Sequence, residues 1–351
     1  MAMATFPLLN LPPSISDQIL ERLDFGELFD LSQCSKRTFN VLKTFGSKRE
    51  TDFMVYIETN PRITMGTLEF QDIYWLFLHN RHPKIMDLEN PQTYKIPGCG
   101  PIDFCVTREP PRTIEYGCVS PHSIQDVLKC TEYILTLFNG SVNFLSILNK
   151  DMKYLDDILS FDTLRRCGEV SISHGHVTHE ELRKVLERFT AEEFSLSCTT
   201  TNNFFLNRTV KCNSFCVFGG KWVNLQTLLK LECAIVEVSS STLTNEDLKH
   251  WLEGSDNKLE YMSLTGALFS ERTLDLSKIV EGVPNTPGVP KRQDATNYDS
   301  SRFISYENGV DLRRADGIRA TALVSLLDNL GTQHFLFVVW HVPNPDLVVV
   351  E

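Results

Sequence analysis

The chain has 351 residues, of which 42% are hydrophobic, 10% aromatic and 23% charged, a mix that fits a globular protein of about two domains. Forty-five acidic residues against 34 basic ones leave a net charge of −11, which argues against a large nucleic-acid footprint. No apolar run approaches the roughly eighteen residues a membrane span needs. No basic stretch followed by an apolar core opens the chain, so no secretory signal is expected. The ten cysteines therefore read as free thiols in a reducing compartment, which places the protein inside the cell, in cytoplasm and/or nucleus.

Three short helical signals fill residues 6–45. Ser14 precedes Asp17 by three positions, and Asp24 precedes Glu27 by three. An oxygen at the N-cap satisfies an orphan helix N–H, and an acid three residues on sits well in the dipole field. Ser35 offers a third cap. Ile15, Ile19, Leu20 and Leu23 share one helical face, Leu28 and Leu31 belong to the second helix, and Phe39, Leu42 and Phe45 to the third. Three helices of about ten residues cannot enclose so many apolar side chains alone, so part of that surface must meet the rest of the chain or a partner.

The ordered set Leu11-Pro12, Ile15/Ile19, Leu23-Asp24, Leu28, Leu31 and Cys34-Ser35-Lys36-Arg37 resembles an F-box. That family more often has Val where this chain has Cys34. The resemblance implies docking on a Skp-type adaptor of a cullin–RING ubiquitin ligase. By position, it implies that Leu11, Pro12, Ile15, Ile19, Leu20, Leu28 and Leu31 supply the adaptor-binding or supporting surface.

Residues 46–130 alternate short apolar runs with Pro and Gly. Runs at 54–57, 73–78, 104–106 and 113–116 predict strands of a small antiparallel meander. A helix follows over Val127–Phe138, ended by Asn139-Gly140, and then a strand over Val142–Leu148. From here helix and strand alternate. Strand centres fall near Phe144, Val170, Phe194, Phe215, Ile235 and Leu259, at intervals of 20 to 26 residues. Two units echo each other: Thr178 to Glu181 before Leu182, and Thr244 to Asp247 before Leu248, each combining a cap with an acid. The spacing predicts an irregular leucine-rich-repeat-like solenoid, with a compact α/β domain as the alternative. The polar, Pro- and Gly-rich run 281–301 predicts a long surface loop. Strands at 302–306 and 320–324 are expected to pair around Asp316-Gly317, and Phe335–Trp340 closes the pattern as a buried strand.

Trp222-Val223, Leu228, the step Leu243–Leu248, Trp251, Leu259-Glu260-Tyr261, Arg314–Gly317 and Phe337–Trp340 together resemble the type-2 F-box-associated domain, which is abundant in nematodes. The resemblance implies binding of a protein target and fixes no contact residues. The fold reading is thus α+β / α/β repeat: an F-box over 5–45, a β-rich connector over 46–124, and a leucine-rich-repeat-like domain over 125–342.

Chemistry is sparse. His174, His176 and His179 lie within six residues and suggest a metal, but no fixed geometry follows from a strand end running into a helix. Cys212 and Cys216 lack a matching second pair, so they read as thiols on a strand. No nucleophile elbow, HExxH or Walker loop is present. The expectation is a non-catalytic adaptor without cofactor or metal. Its partners would be a Skp-type adaptor and, through it, cullin–RING, with a protein substrate the sequence does not name. No nucleic acid or membrane partner is expected. The rivals are a non-ligase interaction scaffold and a metal-dependent hydrolase built on the histidines. Ser171, Ser173, Ser195, Ser197, Glu237 and Ser239 would form the outward, small or polar strand face.

Overall fold

Phe29 has no exposed surface, and four aromatic rings surround it: Trp75 at 5.3 Å, Tyr94 at 5.4 Å, Tyr116 at 5.2 Å and Tyr133 at 6.1 Å. Around this side chain the N-terminal half of the protein is built. The structure, a computed structural model, describes residues 11–46, 51–66, 72–78, 91–109, 113–120, 122–201, 203–254, 258–266, 273–284, 308–313, 319–326 and 332–340. The chain divides into two compact units, residues 1–170 and 171–351.

The first unit opens with helices α1 (Pro13–Glu21), α2 (Phe25–Ser32) and α3 (Lys36–Gly46). Strands β1 (Asp52–Ile57), β2 (Arg62–Gly66), β3 (Asp72–Leu78), β4 (Gln92–Lys95), β5 (Pro101–Glu109) and β6 (Thr113–Val119) follow. Helix α4 (Ser123–Phe138) then leads to β7 (Val142–Leu148), a 3-10 turn (Asn149–Tyr154) and the short helices α5 (Leu155–Leu159) and α6 (Asp162–Arg165). The sheet order is β7-β1-β2-β3-β6-β5-β4. The expected antiparallel meander is present as two runs, β1-β2-β3 and β4-β5-β6, but these join through a parallel pair, β3 with β6, and β1 pairs in parallel with β7. Helix α4 packs on β2 and β3 and also against α2 and α3, beside the direct contact of α2 with the sheet. It ends where the sequence placed its end: Asn139 takes a left-handed φ of 50°. A side chain at Gly140 would run into the Phe53 ring 2.3 Å away.

Strand β8 (Arg166–His176) crosses the boundary between the units. The second unit contains α7 (His179–Arg188), β9 (Thr190–Thr199), β10 (Val210–Lys211), β11 (Ser214–Val217), α8 (Leu225–Leu228), β12 (Leu231–Glu232) and β13 (Ile235–Ser241). It continues with α9 (Asn245–Gly254), β14 (Tyr261–Gly266), α10 (Leu276–Ile279), β15 (Val310–Arg313), β16 (Arg319–Leu326) and β17 (Gln333–Trp340). Four of its strands, β9, β11, β13 and β14, run parallel in consecutive order. Their register stacks Phe194, Phe215, Val236 and Met262 in one buried row, and Leu196, Val217, Val238 and Leu264 in the next.

The solenoid expectation fails here. Beside β14 lies β17, antiparallel, followed outward by β16 and β15, also antiparallel. Residues from the end of the sequence thus extend the sheet, and the protein has a three-helix N-terminus followed by a large mixed β-sheet rather than a leucine-rich-repeat stack. The reason for the misreading is physical. Parallel strands need crossovers of a dozen or more residues, so an interval of 20–26 residues suits a parallel sheet as well as a solenoid. Strand β16 pairs with β15 and β17; the strand expected at 302–306 lies outside the described residues, as does most of the run 281–301.

If the aromatic cage joins the helices to the sheet, Phe29→Ala should cost about 3–5 kcal/mol. Chemical denaturation followed by far-UV dichroism and by tryptophan fluorescence should then show both signals shifted together. An early loss of helix with an unmoved fluorescence transition would refute the coupling.

Candidate functional site

The N-terminal helices carry the residues singled out from sequence. Helix α1 does not begin on Ser14. Pro12 is its cap without a side-chain bond, Pro13 is the first helical residue, and the Ile15 and Ser16 amides donate to the Pro12 carbonyl at 2.9 and 3.0 Å. Proline suits this position because its fixed φ is already helical and the N–H it lacks would be unsatisfied. The cap at α2 is as expected: Asp24 Oδ1 accepts from the Glu27 amide at 2.6 Å, while the Asp24 amide donates to Glu27 Oε2 at 2.9 Å. At α3, Ser35 Oγ accepts from the Thr38 amide at 3.0 Å.

These starts set which faces turn inward. Leu20 (0% exposed) and Leu28 (1%) belong to the protein's own core, together with Phe25 and Phe29. Ile15 is 45% exposed and Val41 36% exposed. Pro12 is exposed, and Leu11, Ile19 and Leu31 are half-buried. Of the seven residues named from the resemblance, two are therefore internal supports and five retain surface. Val41 was not among them. It borders a groove between α1 and α3 lined by Pro13, Asp17, Arg37, Asn40, Val41, Thr44 and Phe45. Its signal in the sequence was an apolar position off the Leu42/Phe45 stripe.

A polar network fastens α2 to the sheet below it. The Tyr94 hydroxyl donates to Asp30 Oδ1 at 2.7 Å, and the Tyr116 hydroxyl lies 3.1 Å from the same oxygen and 3.0 Å from the Gly26 carbonyl. Arg108 bridges Asp24 at 3.2 Å and Asp30 at 3.7 Å. Ser32 and Gln33 both bond the Tyr133 hydroxyl at 2.7 Å, and the Lys95 amide donates to Gln33 Oε1 at 3.0 Å. Burial raises the Asp30 carboxyl above its ordinary value, and the bonds from Tyr94 and Tyr116 and the charge of Arg108 partly oppose it. Burial, then the neighbouring Asp30, pushes the Tyr116 phenol up.

In the second unit both echoed helices carry the expected reciprocal caps, Thr178 with Glu181 and Thr244 with Asp247. Trp251 is buried, edge-on to Phe337 at 5.2 Å. On the face opposite the buried rows, Ser195, Cys216, Glu237 and Ser263 align across four strands, all half-buried. Next to that row Phe218 is 53% exposed. His176 is exposed, and His179 Nε2 lies 3.0 Å from the Thr201 carbonyl and 2.8 Å from its hydroxyl. Among the described residues no group of three or more His, Cys, Asp or Glu side chains could hold a metal ion. Nor, among them, is any helix long and apolar enough to cross a membrane.

The helical unit at the N-terminus has the cap order and apolar spacing that resemble an F-box. The family model for the F-box domain matches residues 8–50, and the model described as F-box associated, type 2, matches residues 203–264. The chain thus carries an F-box domain in its N-terminal helices and an F-box-associated domain in its second unit. It is similar to two proteins of Caenorhabditis elegans, "Uncharacterized protein F59B2.9" and "Uncharacterized protein F59B2.8". The first is 18% identical over 96% of this chain and 79% of its own length, the second 22% identical over 95% and 78%. No solved structure matches the chain.

The Asp30 carboxyl gives a pH test. Its folded value lies above its unfolded value, near 4, so it favours the fold below that value and loses this contribution as pH rises through the folded value. Asp30→Asn should therefore gain stability relative to wild type between about pH 4 and neutrality, measured by denaturation at a series of pH values. A difference that shrinks as pH rises would contradict the assignment.

Proposed function

We propose that the protein is the substrate-recognition subunit of an SCF-type cullin–RING ubiquitin ligase. Its F-box docks on a Skp-type adaptor, and its second unit holds a protein target. The observation that supports this most is the division of the apolar residues of α1–α3. Leu20, Leu28 and Phe29 are used by the chain's own core, while Ile15, Val41 and the half-buried Leu11, Ile19 and Leu31 remain for something else. Exposed apolar side chains beside a groove fit a protein partner better than water. In this reading the chain does no acid–base chemistry. A tethered target meets the ubiquitin-loaded enzyme at high effective concentration, and the partners supply the transfer step.

A second reading has one observation in its favour. The burial of Leu28 and Phe29 against the chain's own sheet suits helices that serve only as a cap on a non-ligase interaction module.

Capture of a Skp-type adaptor and cullin separates the two. Ile15→Asp alters an exposed side chain and should leave the melting temperature unchanged. It should weaken capture by about thirtyfold or more, as loss of an interface hot spot does. Leu11→Ala/Pro12→Ala should act in the same direction. Absence of capture by well-folded wild type, or full capture by Ile15→Asp, would favour the cap reading.

A further inference from the structure

All ten cysteines lie among the described residues and stand as thiols. Two of them are held together by the backbone. Strands β10 and β12 pair in parallel, Val210 opposite Leu231 and Lys211 opposite Glu232. The next pair in that register is Cys212 and Cys233, and their Sγ atoms are 2.9 Å apart. The chain is tied across on both sides of them. Before the pair, Lys211 and Glu232 form an ion pair at 2.8 Å, and the Cys212 amide donates to the Glu232 carbonyl at 3.4 Å. After it, the Ala234 and Ile235 amides donate to the Asn213 carbonyl at 3.0 and 2.9 Å. Adjacent paired strands keep Cα atoms within the roughly 4.4–6.8 Å that a disulfide spans, so the bond needs side-chain rotation and no backbone rearrangement. Cys233 is buried and Cys212 half-buried, so Cys212 is the more accessible of the two.

We propose that Cys212 and Cys233 are a redox-modification site, joined by a reversible disulfide when the protein meets a low-molecular-weight disulfide such as oxidised glutathione. The reaction balances in two exchanges. The Cys212 thiolate attacks the small disulfide, giving a mixed disulfide and one released thiol. The Cys233 thiolate then attacks the Cys212 sulfur, forming the protein disulfide and releasing the second thiol. The two protein sulfurs together lose two protons and two electrons, and one molecule of oxidant is reduced to two thiols. The hydrogen bond with Cys233 and burial both push the Cys212 thiol up, so the exchange is slow beside that of an exposed thiol. The bond closes a loop that contains β11 and α8, inside the F-box-associated match at 203–264. Oxidation thus braces one end of the parallel strands that carry the Ser195–Cys216–Glu237–Ser263 row. The inference is independent of the ligase reading.

The test uses the full chain, reduced and then incubated with oxidised glutathione. After alkylation of remaining thiols, non-reducing peptide mapping should find the Cys212 and Cys233 peptides linked, and the melting temperature should rise by about 5 °C and fall back with dithiothreitol. Cys216 shares a tryptic peptide with Cys212, so Cys216→Ser is run in parallel and should keep both the link and the rise. Cys212→Ser and Cys233→Ser should lose both. Full alkylation of Cys212 and Cys233 after oxidation, a glutathione adduct that never resolves, or a link that disappears in Cys216→Ser would each overturn the proposal. The mapping of wild type decides the matter even if a variant fails to fold.

Discussion

The aromatic cage around Phe29 is the constraint from which the first unit follows. A phenylalanine on an eight-residue helix would be an exposed liability in an isolated three-helix unit. Here it meets Trp75, Tyr94 and Tyr116 from three strands and Tyr133 from α4, largely edge-on, the arrangement the ring quadrupoles favour. Three of these rings are tyrosines, and each hydroxyl finds a partner on α2 or just after it: Asp30 for Tyr94, Asp30 and Gly26 for Tyr116, Ser32 and Gln33 for Tyr133. A buried phenol without a partner would cost about 1–3 kcal/mol. The polar rims of the cage therefore fix the direction of α2 as firmly as the ring faces fix its depth. Gly26 belongs to the same fit, since a Cβ there would lie 2.9 Å from the Ile114 side chain and from the Tyr116 hydroxyl.

Arg108 adds a weaker restraint. Its guanidinium reaches both Asp24 and Asp30 but is nearly half exposed, so solvent screens the pairs and each contributes little by itself. Its effect is on geometry: Asp24 is also the cap of α2, and one cation holds the cap and the helix body against β5. The unit is thus organised from α2 outward, apolar contact first, hydroxyl partners second and charge last.

What could be read from the sequence was local. Asp24/Glu27, Thr178/Glu181 and Thr244/Asp247 announced three helix starts, because a cap is a short-range hydrogen-bond pattern written within four residues. The strands at 52–57, 72–78, 142–148 and 333–340 were visible as apolar runs. The start of α1 was misjudged because Pro12-Pro13 fixes the backbone before Ser14 can act as a cap. β2 and β4 were missed, one short and punctuated by Arg62 and Thr64, the other only four residues with a single buried side chain. The solenoid reading failed on non-local facts. Nothing near Tyr261 says that its neighbour across the sheet will be Val338, and the cluster that joins those strands brings Tyr261 to Leu323, Leu336 and Val338, all more than sixty residues further along.

The same limit applies to the seven residues carried over from the F-box resemblance. A motif gives positions, but the partition between support and contact depends on what the remainder of the chain buries. Ile15 and Ile19 are four residues apart and share a stripe of α1, while Ser16 and Leu20 form the neighbouring stripe that turns inward. One helical residue, roughly a hundred degrees of rotation, separates a core side chain from a surface one. Because Phe29 and its cage set the rotation of α2, they also determine that Leu28 turns inward while Leu31 keeps part of its surface. The surface that α2 offers a partner is therefore fixed by Trp75, Tyr94, Tyr116 and Tyr133, residues that lie outside the motif itself.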